Sequence, residues 1–167
     1  MSKLLFDFTD PRAVDAWRAI DDRVMGGISR SRLRYDLAGH AVFEGEVSLE
    51  QNGGFASVRS SPDARGQLCA TTCVIDVRRG GGGRQFKLSL LTDDGFDSVN
   101  YQAGFALDTR DWQTICLPLT TFRASFRGRD MPGAAALDPA RIRQVGLMIA
   151  ARQIGPFVLD IRRIGLA

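Results

Sequence analysis

Ala41-Val42-Phe43-Glu44-Gly45-Glu46-Val47-Ser48-Leu49 decides the fold class. Ala41, Phe43, Gly45, Val47 and Leu49 share one face while Glu44, Glu46 and Ser48 occupy the other, which is the period of a strand with one side in a core and the other in water. The same alternation recurs in Val99, Tyr101, Ala103, Phe105 and Leu107. It returns in Phe86, Leu88 and Leu90, in Val145, Leu147 and Ile149, and in Phe157, Leu159 and Ile161, the last set opposite Asp160 and Arg162. These are faces of antiparallel sheets. About eight to ten strands without a repeat of fixed length point to a β-sandwich or jelly roll.

Helix is scarce. Asp10-Pro11 followed by Ala13, Val14, Ala16, Trp17 and Ile20 predicts one short amphipathic helix capped by Asp10, and Asp138-Pro139 predicts a second short turn. Gly80-Gly81-Gly82-Gly83, between strand candidates 68–77 and 84–92, is expected to make a hairpin turn. No Lys-Ser/Thr follows it, so it is not a phosphate-binding P-loop. Asp93-Asp94-Gly95 is another turn and lacks the spaced acids of a calcium loop. Residues 122–136 predict an exposed loop.

The chain of 167 residues fits one domain over 1–167, large enough for roughly 70% of its unfolded surface to be buried without disulfides or metals. No apolar run approaches the ~20 residues of a membrane span. The N-terminus lacks the apolar core of a signal peptide, so a cytoplasmic protein is expected. Cys69, Cys73 and Cys116 are unpaired by spacing and lie in apolar runs; reduced, buried thiols are expected, with no metal site. The net charge of +3 comes almost wholly from arginine, Lys3 and Lys87 being the only lysines. Arg30, Arg32 and Arg34 on one side of a strand, with Arg78, Arg79 and Arg84 flanking the glycine run, predict local positive surface. The absence of a basic tail or RNA-binding motif disfavours nucleic acid as partner.

Two polar, glycine-containing stretches are the candidate site. They are Asp21-Asp22-Arg23-Val24-Met25-Gly26-Gly27-Ile28-Ser29 and Asn52-Gly53-Gly54-Phe55-Ala56-Ser57-Val58-Arg59. Each Gly-Gly step permits positive φ and close backbone approach, so the two are expected to meet, with Asp21 or Asp22 paired to Arg23 or Arg59. The pair is either a structural clamp, suited to the bidentate fork of arginine, or a recognition surface. Asp21 and Asp22 do not read as a glycosidase pair, because adjacent side chains in extended chain point apart. His40, the single histidine, sits in Leu37-Ala38-Gly39-His40 and is expected in an exposed turn, without the partner that a general base needs. Trp17 and Trp112 read as core anchors before sugar platforms.

Together with Phe43-Glu44-Gly45-Glu46-Val47-Ser48-Leu49-Glu50, Tyr101, Trp112 and Gly155-Pro156-Phe157-Val158-Leu159-Asp160-Ile161, the two polar stretches resemble the motifs of the complex I intermediate-associated protein 30 family. Family members in mitochondria carry targeting sequence, and some photosynthetic members carry a nucleotide-binding domain; this chain is expected to be the bare domain. The resemblance implies a galactose-binding-like jelly roll. It also implies a non-enzymatic protein-binding role, without cofactor, in assembling respiratory NADH:ubiquinone oxidoreductase or another multisubunit complex. It carries over no catalytic residues. The alternative is a small-ligand module holding a carbohydrate-like compound between sandwich loops. There Asp21, Asp22, Arg23, Gly26, Gly27, Ser29, Asn52, Gly53, Gly54 and Arg59 would supply polar contacts and Trp112 a stacking face.

Overall fold

A computed structural model describes residues 2–21, 28–50, 54–81, 84–107, 109–149 and 153–167. They form two antiparallel sheets packed face to face. The first sheet contains β3 (Arg30–Asp36), β4 (His40–Val47), β13 (Gly155–Leu166), β6 (Thr72–Gly81) and β9 (Gln113–Pro118) in that order, with β1 (Lys3–Asp7) also paired to β13. The second runs β11 (Arg129–Asp130), β10 (Arg123–Phe126), β8 (Asn100–Ala106), β7 (Gln85–Leu91), β12 (Gln144–Ile149), β5 (Ala56–Ser60) and β2 (Trp17–Ala19). The fold is therefore the β-sandwich expected from the strand pattern, in the jelly-roll form that the family resemblance implies.

Each period-two face turns its apolar side inward. Phe43 and Phe157 of the first sheet meet Phe86 of the second, with ring centroids 4.9 Å apart for Phe43–Phe157 and 6.2 Å for Phe43–Phe86. Phe105 stacks on Phe86 at 6.0 Å. Val47, Val77, Leu88, Leu90, Val145, Leu147, Ile149, Leu159 and Ile161 fill the space around these rings and are almost fully buried. Edge-to-face and offset geometry adds to the hydrophobic gain of burying such large groups.

Several elements depart from the sequence expectation. The helix predicted from Asp10 onward is a short 3-10 turn over Pro11–Ala16, after which Trp17 enters strand β2. Asp10 does cap it, accepting the Arg12 N–H at 3.0 Å. The chain leaves helical geometry because Trp17 packs on Phe6 at 4.9 Å and β2 pairs with β5, and a short isolated helix has too little stability to resist that. The glycine run is no hairpin: β6, which includes Gly80 and Gly81, pairs with β13 and β9, whereas β7 pairs with β12 and β8, so the chain passes from the first sheet to the second after Gly81. Gly82 and Gly83 themselves lie outside the described residues.

The loop predicted over 122–136 contains the hairpin β10–β11, turned through Arg127 and Gly128, both at positive φ. Strand β6 begins at Thr72, four residues later than the pattern suggested, because Ala70 N–H bonds back to Gln67 and Cys69 adopts φ 66° in a turn.

The thiols follow from that. Cys73 is buried as expected, but Cys69 and Cys116 are exposed, the first in its turn and the second on the outer side of β9. Burial pushes the Cys73 thiol up to about 12. A thiol reagent at pH 8 should therefore label Cys69 and Cys116 in the native protein and Cys73 only after unfolding. Native labelling of all three at one rate would contradict this packing.

Candidate functional site

The described ends of the two polar stretches meet at an open edge of the sandwich. Asp21 leaves β2 and is buried; its carboxylate accepts from the Ser57 N–H at 2.9 Å, the Ser31 N–H at 3.0 Å and the Ser31 hydroxyl. Ser31 belongs to β3 of the first sheet and Ser57 to β5 of the second, so one carboxylate spans both layers. The Ser31 hydroxyl, whose one proton is shared with the Asp21 carboxylate, also lies 3.1 Å from Ser57 O, and the Ser57 hydroxyl donates to Ile20 O.

Ser29 lies beside this junction. Its hydroxyl donates to Ser48 O at 3.2 Å and accepts from the Ser48 N–H at 2.9 Å. Gly54 is buried at φ 139°, a conformation that a residue with a Cβ rarely adopts. Asp22, Arg23, Gly26, Gly27, Asn52 and Gly53 lie outside the described residues.

Arg59 does not meet Asp21. Its guanidinium donates to Phe96 O at 2.8 Å on the outer side of the second sheet, and its register partner on β2 is Arg18. Both arginines lie about 6 Å from the Phe96 ring centroid, at 5.9 Å and 6.0 Å. Of the expected pairings of Asp21 or Asp22 with Arg23 or Arg59, those with Asp22 or Arg23 lie outside the described residues, and Asp21–Arg59 is not formed, because alternation along β5 sends Ser57 and Arg59 to successive outward positions. Only the first of these lies under the β2–β3 crossing.

Trp112 belongs elsewhere, on the outer face of the first sheet. Sequence reasoning placed His40 in an exposed turn, but it is the first residue of β4 and only 5% exposed. Its imidazole Nε2 lies 3.6 Å from Asp160 Oδ1, and its ring meets Trp112 edge-on at 5.3 Å. Asp160 Oδ2 accepts from Arg78 Nε at 2.9 Å and Nη2 at 2.7 Å. The Arg78 and Arg162 guanidinium carbons sit 4.8 and 4.4 Å from the Trp112 centroid. Trp112 is therefore a lid of cation–π contacts over a buried carboxylate, neither a core anchor nor a bare platform.

The predicted positive surface of Arg30, Arg32 and Arg34 is largely neutralised. Arg32 and Arg34 both bind the Glu44 carboxylate, at 2.7 and 3.0 Å, Arg34 also reaches Asp36, and Arg30 stands opposite Glu46 in the register. Burial pushes the Glu44 carboxyl up, but hydrogen bonds from Arg32 and Arg34 outweigh it and hold the group below its usual range. A lowered folded-state value contributes stability at neutral pH that is lost as pH falls below about 4.5 and through the folded value. Glu44→Gln should flatten that acid limb of a melting-temperature profile; an unchanged limb would show that the pair contributes nothing. Arg78 binds Asp160, and Arg84 donates to Pro156 O at 3.1 Å. The Arg79 side chain lies outside the description.

Clefts among the described residues include two of note. One of about 580 Å³ lies beneath the segment after β11 and is lined by Tyr101, Leu119, Phe122, Met131 and Leu137 among others; the Tyr101 hydroxyl donates to Ala135 O at 2.8 Å. The other, about 280 Å³, sits over β7 and β8 between Lys87, Gly104 and Gln153. Among the described residues no group of three or more His, Cys, Asp or Glu side chains is placed to hold a metal ion. No described helix is long and apolar enough to cross a membrane.

Comparison with known structures gives the same fold. A family 11 carbohydrate-binding module from Clostridium thermocellum, solved with a β-1,3-1,4-mixed-linked tetrasaccharide, superposes with a TM-score of 0.70 at 21% identity, covering 99% of this chain and 94% of that one. A family 30 carbohydrate-binding module of a Clostridium thermocellum cellulase gives 0.66 at 13% identity, covering 100% and 97%. In sequence, an uncharacterised protein of Schizosaccharomyces pombe is 25% identical over 80% of this chain and 68% of its own length. Mouse complex I intermediate-associated protein 30, named as mitochondrial, is 25% identical over 99% of this chain and 56% of its own length. The sequence pattern of the family described as complex I intermediate-associated protein 30 matches residues 6–161, from β1 into β13. The chain belongs to the complex I intermediate-associated protein 30 family.

Proposed function

We propose that this chain is a non-enzymatic protein-binding module acting as an assembly factor or chaperone for a multisubunit complex, respiratory NADH:ubiquinone oxidoreductase first among them. The observation that carries the reading is the extent of the family match, which spans the double sheet from residue 6 to residue 161. What the family holds in common is thus the sandwich itself, and a shared role belongs on its surface. The side-chain clusters favour binding over chemistry: Asp160 is occupied by Arg78, and Asp21 by serine and backbone donors. Work in a reducing compartment such as the cytoplasm forms part of the same reading and suits exposed, unpaired Cys69 and Cys116.

Affinity capture of the tagged chain from its native host, followed by mass spectrometry, tests the proposal. Subunits of NADH:ubiquinone oxidoreductase should be enriched, and deletion of the chain should lower the amount of assembled enzyme. Capture without those subunits, together with normal enzyme levels, would refute it. A second reading, a carbohydrate-binding module, draws on the 0.70 superposition with the family 11 module. A glycan array separates the two readings.

A further inference from the structure

The two outer faces of the sandwich differ in how their cations are balanced. On the first sheet Arg32 and Arg34 meet Glu44, Arg78 meets Asp160, and Arg163 approaches Asp76. On the second sheet, consecutive register partners place Arg18, Arg59, Gly146, Ser89, Gln102 and Arg123 in one row across β2, β5, β12, β7, β8 and β10. Six strands at about 4.8 Å spacing make this row roughly 24 Å long. Lys87 stands in the next row of the same face, two residues along β7 from Ser89. Among the described residues Arg18, Lys87 and Arg123 form no ion pair with any carboxylate, and all three are exposed.

The middle of the row is low. It dips at Gly146, which has no side chain, and at Ser89, whose short one is buried, before half-buried Gln102 beside Arg123; the 280 Å³ cleft lies in the neighbouring rows, over Gln85–Lys87 and Gly104–Ala106. Cations therefore stand at both ends and along one side of a shallow trough. Burial first, and the neighbouring Arg18 charge second, press the Arg59 guanidinium below its ordinary range, although Asp93 and Asp97 offset part of this. A cation in that condition gains from an added negative charge.

We propose that this face binds an acidic, extended segment of the partner protein, its carboxylates meeting Arg18 and Arg59 at one end, Lys87 in the middle and Arg123 at the other. The inference rests on reading the chain as a protein-binding module and adds where and by what chemistry it binds. An extended segment of about seven residues spans the row. Guanidinium groups meet its carboxylates bidentately, and Phe96, held between Arg18 and Arg59, offers apolar area beside them.

Binding of a fluorescent ten-residue polyglutamate peptide, measured at rising salt, tests the proposal. The full chain should bind it, and affinity should fall steeply with salt. The double variant R18E/R123E should weaken binding at least tenfold, while the charge-matched R12E/R110E, off this face, should bind as the unaltered chain does. If the first variant misfolds by circular dichroism, K87E supplies the same test at a third exposed position. Equal weakening by both double variants would reduce the effect to net charge and overturn the proposal. So would binding of the mixed-linked tetrasaccharide at this face without binding of the peptide. Partner capture from the host distinguishes the two levels: capture retained by R18E/R123E keeps the protein-binding reading and rejects the face. Peptide binding without any partner captured by the unaltered chain rejects the reading alone.

Discussion

Asp21→Ala is expected to lower stability by about 3–5 kcal/mol, because it leaves the Ser31 and Ser57 backbone N–H groups without their carboxylate acceptor at a buried junction. For a chain of this size that corresponds to a fall in melting temperature on the order of 10 °C. The effect is large because the two donors belong to different sheets, so the loss loosens an edge and not a single strand. Asp21→Asn keeps one acceptor oxygen and should cost roughly half as much. A thermal melt of the two variants checks both statements. Equal melting temperatures for the unaltered chain and Asp21→Ala would show that water replaces the carboxylate and that the junction has no structural weight.

Asp160→Ala is the second large effect. Removing the carboxylate strands the Arg78 guanidinium beneath Trp112 and takes away the acidic neighbour of buried His40. Breaking a buried pair by deleting one partner costs about 3–5 kcal/mol; Arg78 remains about one third exposed and can turn toward water, so about 2–4 kcal/mol is expected. The double variant D160A/R78A should recover part of that loss, since no unpaired charge then remains. Melts of the singles and the double give the coupling directly. A double variant that loses the sum of the two singles would show that Asp160 and Arg78 do not act together.

The strands were legible in the sequence because burial on one side forces period two, and Ala41–Leu49, Phe86–Leu90 and Phe157–Ile161 show it plainly. Which sheet a strand joins was not legible. In a sandwich the chain crosses between layers, so Gly80–Gly83 looks the same whether it closes a hairpin or links two sheets. The Pro11 turn was found from its cap, but its length was set by Trp17 packing on Phe6, a contact that local propensity does not encode.

The candidate site was legible in pieces. Asp21 and Ser57 stood within the two quoted stretches, yet the pairing through Ser31 depended on β3 crossing β2, and Arg59 was lost to Phe96. The His40, Arg78, Trp112 and Asp160 cluster was missed because register across β4, β13 and β6 brings it together from four distant parts of the chain. One signal was present: Asp160 interrupts the apolar run Phe157–Ile161, and a carboxylate there needs a partner. The positive row on the second sheet has no sequence signature, since each strand contributes a single residue.

A protein partner proposed to sit on the outer face of the second sheet can be located by cross-linking. The most direct measurement places a photo-crosslinking amino acid at Lys87 in one strain of the native host and at Arg32, on the opposite face, in another. Cross-links from position 87, and not from position 32, to a subunit of NADH:ubiquinone oxidoreductase are the expected result, whereas cross-links from position 32 alone would contradict the account.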